Sequence, residues 1–175
     1  MSTDHIRVPL VEPGTNSELQ ATEARIMAER GRISLLYQVL LNSEPIAQGW
    51  EQMLTAVRNK TSVAPGHREM MILRVAVLNN AEFEFDAHIP HALKAGVSQE
   101  KIELIKHLEL SGQFNHQERL LLSLTDHMTK DVVVPENLMT ELNSHYSPKE
   151  VVEIVATIAA YNMVSRFLVA LNIKH

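Results

Sequence analysis

The chain has no cysteine among its 175 residues. Disulfides, thiolate nucleophiles and thiolate metal ligands are all excluded by that one absence. Aromatic residues are scarce at 5%, so the core must be built from Leu, Ile, Val, Ala and the eight Met. The six glycines are scattered, and none forms a phosphate-cradling loop. No run of Lys or Arg occurs and the net charge is -5, which argues against a nucleic-acid partner. Long apolar runs are missing too. The longest stretches, 151–160 and 163–171, are interrupted by Glu153, Asn162 and Arg166, short of the roughly 18 uninterrupted residues of a membrane span. The start, MSTDHIRVPLVEPG, lacks a basic region followed by an apolar one, so a cytoplasmic location is expected by default. Ser34, Ser123 and Ser165 lack the GxSxG context of a serine nucleophile.

What remains is helical signal. Residues 1–16, with Pro9, Pro13 and Gly14, read as an extended, mobile arm, and 17–175 as one all-α domain. Ser17 with Gln20 marks a first helix that Gly31 bends or divides. Pro45 opens a second, with Ile46, Trp50, Met53, Leu54 and Val57 on its apolar face. Pro65 opens a third that runs to about Asn79, burying Met70, Leu73, Val77 and Leu78. Asn79-Asn80 breaks it, since Asn tolerates left-handed geometry and also caps helices. The following helix stops at Gly96. Ser98 caps a short helix to about Leu110, Asn115 and Glu118 form a capping pair, and Pro135 opens a helix to about Asn143. Ser147, Pro148 and Glu150 give the strongest start signal, for a helix reaching Leu171 that is apolar around most of its circumference.

Chemistry concentrates in NAEFEFDAHIPHALKAG, residues 80–96. Glu84, His88 and His91 fall at i, i+4 and i+7, on one helical stripe. Antiparallel packing across the Asn79-Asn80 turn would bring Glu69 near that stripe. Two carboxylates and an imidazole in a partly apolar setting make a proton relay that works near neutral pH. The same spacing also suits a solvated helix face. Nitrogen and oxygen donors at Glu84, His88 and His91 would equally suit zinc or iron, although no HExxH box is present. Pro90 sits within the helix and costs it one backbone bond. On the last helix, Arg166 offers a grip for a substrate carboxylate or a salt bridge at an interface.

Glu69, then Phe83-Glu84-Phe85, His88, Ala92 and Gly96, continuing into VSQEKI, resembles the carboxymuconolactone decarboxylase superfamily, which includes alkylhydroperoxidase D. The likeness is best from about 44 to 131, and the tail YNMVSRFLVAL also looks like the close of many members. The resemblance implies an AhpD-like helical bundle, a homo-oligomer (dimer, trimer or hexamer) and a small-molecule substrate. In the peroxidase branch two cysteines stand where this chain has Ala81 and Glu84. Dithiol peroxidase chemistry is therefore closed to it. The decarboxylase branch needs no thiol and no cofactor. That branch implies a lyase for a small carboxylated or lactone compound, with His88 as proton donor, Glu84 as its partner and Glu69 orienting it. His91 and Arg166 would contact substrate. The alternatives are a ligand-binding or scaffold oligomer with a degenerate site, and a metal-dependent enzyme.

Overall fold

The computed structural model describes residues 5–107 and 112–174, and the regular elements among these are all helical. Among the described residues nine α-helices follow one another: α1 Gln20–Arg30, α2 Leu35–Leu40, α3 Glu44–Asn59, α4 Pro65–Leu78, α5 Glu82–Lys94, α6 Gln99–Leu104, α7 His116–Asp126, α8 Glu136–His145 and α9 Pro148–Ala170. The chain divides into two compact units. One comprises the residues up to 60 with those from 170 on, and the other residues 61–169.

In the first unit the described part of the arm is extended and hydrogen-bonded to other segments of that unit. Arg7 N–H donates to the Leu171 carbonyl at 3.0 Å and Val11 N–H to that of Gln38 at 3.1 Å. The Asn42 amide donates to the Pro9 carbonyl at 2.7 Å. The first cap is Asn16, not Ser17: its side chain accepts from Glu18 N–H, opening a 3-10 turn that leads into α1. Gly31 does divide the helices, because it ends α1 in the left-handed region at φ 73°. On α3, Trp50, Leu54 and Val57 are buried as the spacing predicts, together with Ala47. Ile46 and Met53, expected on the same face, are 54% and 43% exposed. Periodicity finds the apolar stripe but cannot fix how much of its margin is covered.

In the second unit α4 is the central helix, and every residue from Met70 to Ala76 is buried. Arg74 is among them with no solvent exposure at all. Its guanidinium meets Asp126 in a two-pronged pair at 2.6 and 2.7 Å and donates to the carbonyls of Ile105 and His107 at 2.7 and 2.6 Å. Asn80, at φ 54°, makes the tight turn that sends α5 back along α4. The cap of α5 is Ala81 without a side-chain bond, so the asparagines supply the turn and not the cap. The helix continues unbroken through Pro90. α6 is capped by Ser98 as expected but ends at Leu104; the expected end near Leu110 lies outside the described residues.

The capping box of α7 is complete. Asn115 Oδ1 accepts from Glu118 N–H at 2.9 Å and the Glu118 carboxylate accepts from Asn115 N–H at 2.8 Å. Asn115→Ala should cost about 1 kcal/mol in urea unfolding, and an unchanged midpoint would deny the cap any energetic role. A π-helical turn at His127–Asp131 continues α7. α9 starts at the anticipated box, with Glu150 accepting from Ser147 N–H at 2.8 Å. Counting only uninterrupted apolar residues understated this helix. By length and composition it could cross a membrane, yet half of its apolar stretch is buried within the protein, as in a core helix. Asn162 and Ser165 on it are buried and hydrogen-bonded.

Candidate active site

The turn at Asn79-Asn80 brings α4 and α5 side by side, and with them Glu69 and His88. Both are buried, and His88 Nδ1 lies 2.7 Å from Glu69 Oε2. Arg68 Nε lies 3.6 Å from the other Glu69 oxygen, so the carboxylate has a cation on one side and an imidazole on the other. A carboxylate that accepts from Nδ1–H fixes the ring's orientation and tautomer. Proton exchange with a bound molecule then falls to Nε2.

Tyr161 of α9 completes the setting. Its buried ring meets the His88 ring edge to face, with centroids 5.1 Å apart and planes at 88°. The neighbouring Asn162 is held on both sides. It accepts from the Asn79 amide at 3.0 Å and donates to Thr129 Oγ1 at 2.9 Å. Asn79 also donates to Ser165 Oγ at 2.7 Å. This network ties the end of α4 to α9 and so fixes Tyr161 against His88. Nothing in local spacing pairs a residue on the last helix with His88, so the contact was not anticipated.

Glu84 departs from its expected part. Although one turn from His88, it makes no hydrogen bond to the imidazole. It is 2% exposed, and neither carboxylate oxygen has a hydrogen-bond partner. Burial alone pushes its carboxyl well above the ordinary carboxylate range. Burial thus favours the neutral acid at Glu84, while Glu69 takes the imidazole. The i, i+4 spacing named the wrong partner because a carboxylate on the adjacent helix reaches the ring first.

His91 lies on the exposed side of α5, its ring 5.5 Å from that of His88 and tilted by 50°. It stands at the rim of the cluster. Arg166 is exposed and directs its guanidinium to the Thr129 carbonyl at 3.4 Å. Its placement joins α9 to the π-helical turn. Among the described residues, Glu84, His88 and His91 do not bring donor atoms together at metal-binding distances.

A family model described as "Carboxymuconolactone decarboxylase family" matches residues 44–125, within the 44–131 anticipated from the residues. The chain is 25% identical to the uncharacterized protein YdfG of Bacillus subtilis over 115 residues, which is 65% of this chain and 78% of that protein. A structure described as an alkylhydroperoxidase AhpD core, an uncharacterized peroxidase-related protein from Ralstonia eutropha, superposes with a TM-score of 0.81. The identity is 15%, over 97% of this chain and 91% of that one. The debrominase Bmp8 in complex with 2,3,4-tribromopyrrole superposes with a TM-score of 0.79 at 15% identity, covering 98% and 92% of the two chains. At such identities these two structures establish the fold. Residues 44–125, with Glu69, Glu84 and His88 among them, are thus similar to the carboxymuconolactone decarboxylase family, on an all-helical fold shared with AhpD-like structures.

Proposed function

We propose that this protein is a cofactor-free acid/base enzyme that moves protons on a small carboxylated or lactone compound, decarboxylation being the reaction that fits best. One observation carries the reading. A buried carboxyl with no hydrogen-bond partner stands one helical turn from an imidazole whose other side is held by a second carboxylate. A buried acid kept neutral can donate to developing negative charge, and an imidazole fixed by a carboxylate can deliver or accept a proton. The two carboxyl groups thus have different surroundings: burial favours the neutral form of Glu84, and Glu69 is hydrogen-bonded to the imidazole.

In the proposed step the bond between the substrate carbon and its carboxylate breaks and carbon dioxide leaves. The electron pair enters an enolate, whose oxygen accepts a hydrogen bond from Glu84. Glu69 holds His88 as the imidazolium, whose Nε2–H then delivers a proton to carbon; the neutral imidazole left behind is reprotonated by solvent. The absence of thiols fits this chemistry and rules out a dithiol cycle. The Bmp8 complex shows a five-membered ring bound to a protein of the same fold, and a lactone of that ring size is the first substrate to try. The setting proposed is a homo-oligomer acting on a small molecule, without nucleic acid or membrane.

Deuterium incorporation into enolisable lactone acids, followed by NMR, tests the proton transfer without requiring the full reaction. His88→Ala should lower the exchange rate at least about 100-fold, with the helical content and molecular mass unchanged. Wild-type protein that exchanges nothing across such a panel would favour a ligand-binding or scaffold role. Exchange that survives His88→Ala would remove His88 from the mechanism.

A further inference from the structure

Three more side chains with ligand-type atoms converge on the surface of the second unit, on helices other than those carrying Glu69 and His88. His116 is the first residue of α7, and Glu141 and His145 lie at i and i+4 on α8. His116 Nε2 is 2.8 Å from Glu141 Oε1. The rings of His116 and His145 have centroids 5.4 Å apart. One ligand atom from each of the three residues falls within 4.8 Å of the other two. We propose that His116, Glu141 and His145 form a binding site for a divalent transition-metal ion of the zinc class.

The donor set is two imidazoles and one carboxylate, which suits zinc and its borderline neighbours and does not suit magnesium or calcium. Ligands about 2.0–2.2 Å from zinc stand roughly 3.0–3.6 Å from one another in a tetrahedron. Separations as wide as 4.8 Å must therefore close by about 1 Å, while His116 and Glu141 are already close enough, and rotation of the exposed His116 and His145 side chains supplies the adjustment. The backbones need not move. α7 is held at this end by its capping box, and α8 is anchored beside Glu141 by Leu142, which has no solvent exposure. An exposed histidine–glutamate pair contributes little by itself, and a second imidazole beside it adds like charge whenever both are protonated. A shared cation turns that repulsion into three coordinate bonds, with water in the fourth position.

Titration of the full chain with zinc, by calorimetry and by thermal shift, tests the site. The expected result is a single equivalent bound with micromolar or tighter affinity and a raised melting temperature. Cobalt in place of zinc should give the visible bands of a tetrahedral ion. His116→Ala and His145→Ala should each weaken binding by roughly 10-fold or more, since even an outer-shell change costs 10- to 100-fold. His88→Ala should leave binding intact. Wild-type affinity only in the millimolar range would overturn the proposal. So would affinity that persists in the His116→Ala, His145→Ala double variant or is lost in His88→Ala.

Discussion

Glu84→Gln is expected to lower proton-transfer activity at least about 100-fold and, at neutral pH, to make the protein more stable. The two effects share one cause. In the folded chain Glu84 holds its proton well above the ordinary carboxylate range because burial penalises the charged form. In the unfolded chain it titrates near about 4.3. Between those two values the folded state keeps a proton that the unfolded state has released, so stability falls as pH rises. The largest slope this gives is about 1.4 kcal/mol per pH unit for one proton. Below the unfolded value the penalty disappears. Glutamine does not ionise, so the stability gap between variant and wild type should open above roughly pH 4.3 and widen as pH increases. Urea unfolding at a series of pH values reads it directly. A gap that does not change with pH would mean that Glu84 is charged and partnered in the fold. The proposed mechanism would then lose its acid.

The largest loss of stability is expected from Arg74→Ala, about 3–5 kcal/mol. The guanidinium is wholly buried and serves three acceptors, namely the Asp126 carboxylate and the carbonyls of Ile105 and His107. Truncation leaves all three short of a donor and opens a cavity beside α7. Asp126 carries a pH signature of the same contact. Burial raises its carboxyl, but the hydrogen bonds and charges of Arg74 and Lys130 outweigh that and hold it below its ordinary value. This contribution is present above the unfolded value near about 3.9 and is lost as pH falls through the depressed folded value. Acid unfolding should therefore be shallower in Arg74→Ala than in wild type over that range. Thermal unfolding of Arg74→Ala within a degree of wild type would show that the buried pair contributes nothing net.

The helices were legible where local chemistry decides them. Asn115 with Glu118, Ser147 with Pro148 and Glu150, and Pro65 each marked a start that the fold uses. The pairing of α4 with α5 was legible for the same reason, since two residues of asparagine leave little choice of direction. Glu69, Glu84 and His88 could thus be grouped before any coordinates. Their internal wiring could not, because i, i+4 spacing says nothing of a carboxylate arriving from another helix. Arg74 was invisible as a core residue, because a charged residue in an apolar helix reads as solvent-facing until its partner, 52 positions away, is known. Tyr161 against His88 and His145 beside His116 are contacts of the same long-range kind. The π-helical turn at His127–Asp131 has no side-chain signature of its own.

Glu69 and His88 are joined by a two-helix hairpin only 19 positions long, so closing that loop costs little entropy. The hairpin carries its reactive groups as an almost self-sufficient cassette. By the family resemblance, Ala81 and Glu84 stand where the thiol-bearing branch has its two cysteines, and both are buried in this frame. On the proposed function, the identity of those two side chains would separate proton chemistry from electron chemistry on such a cassette, with the scaffold beneath them left as it is.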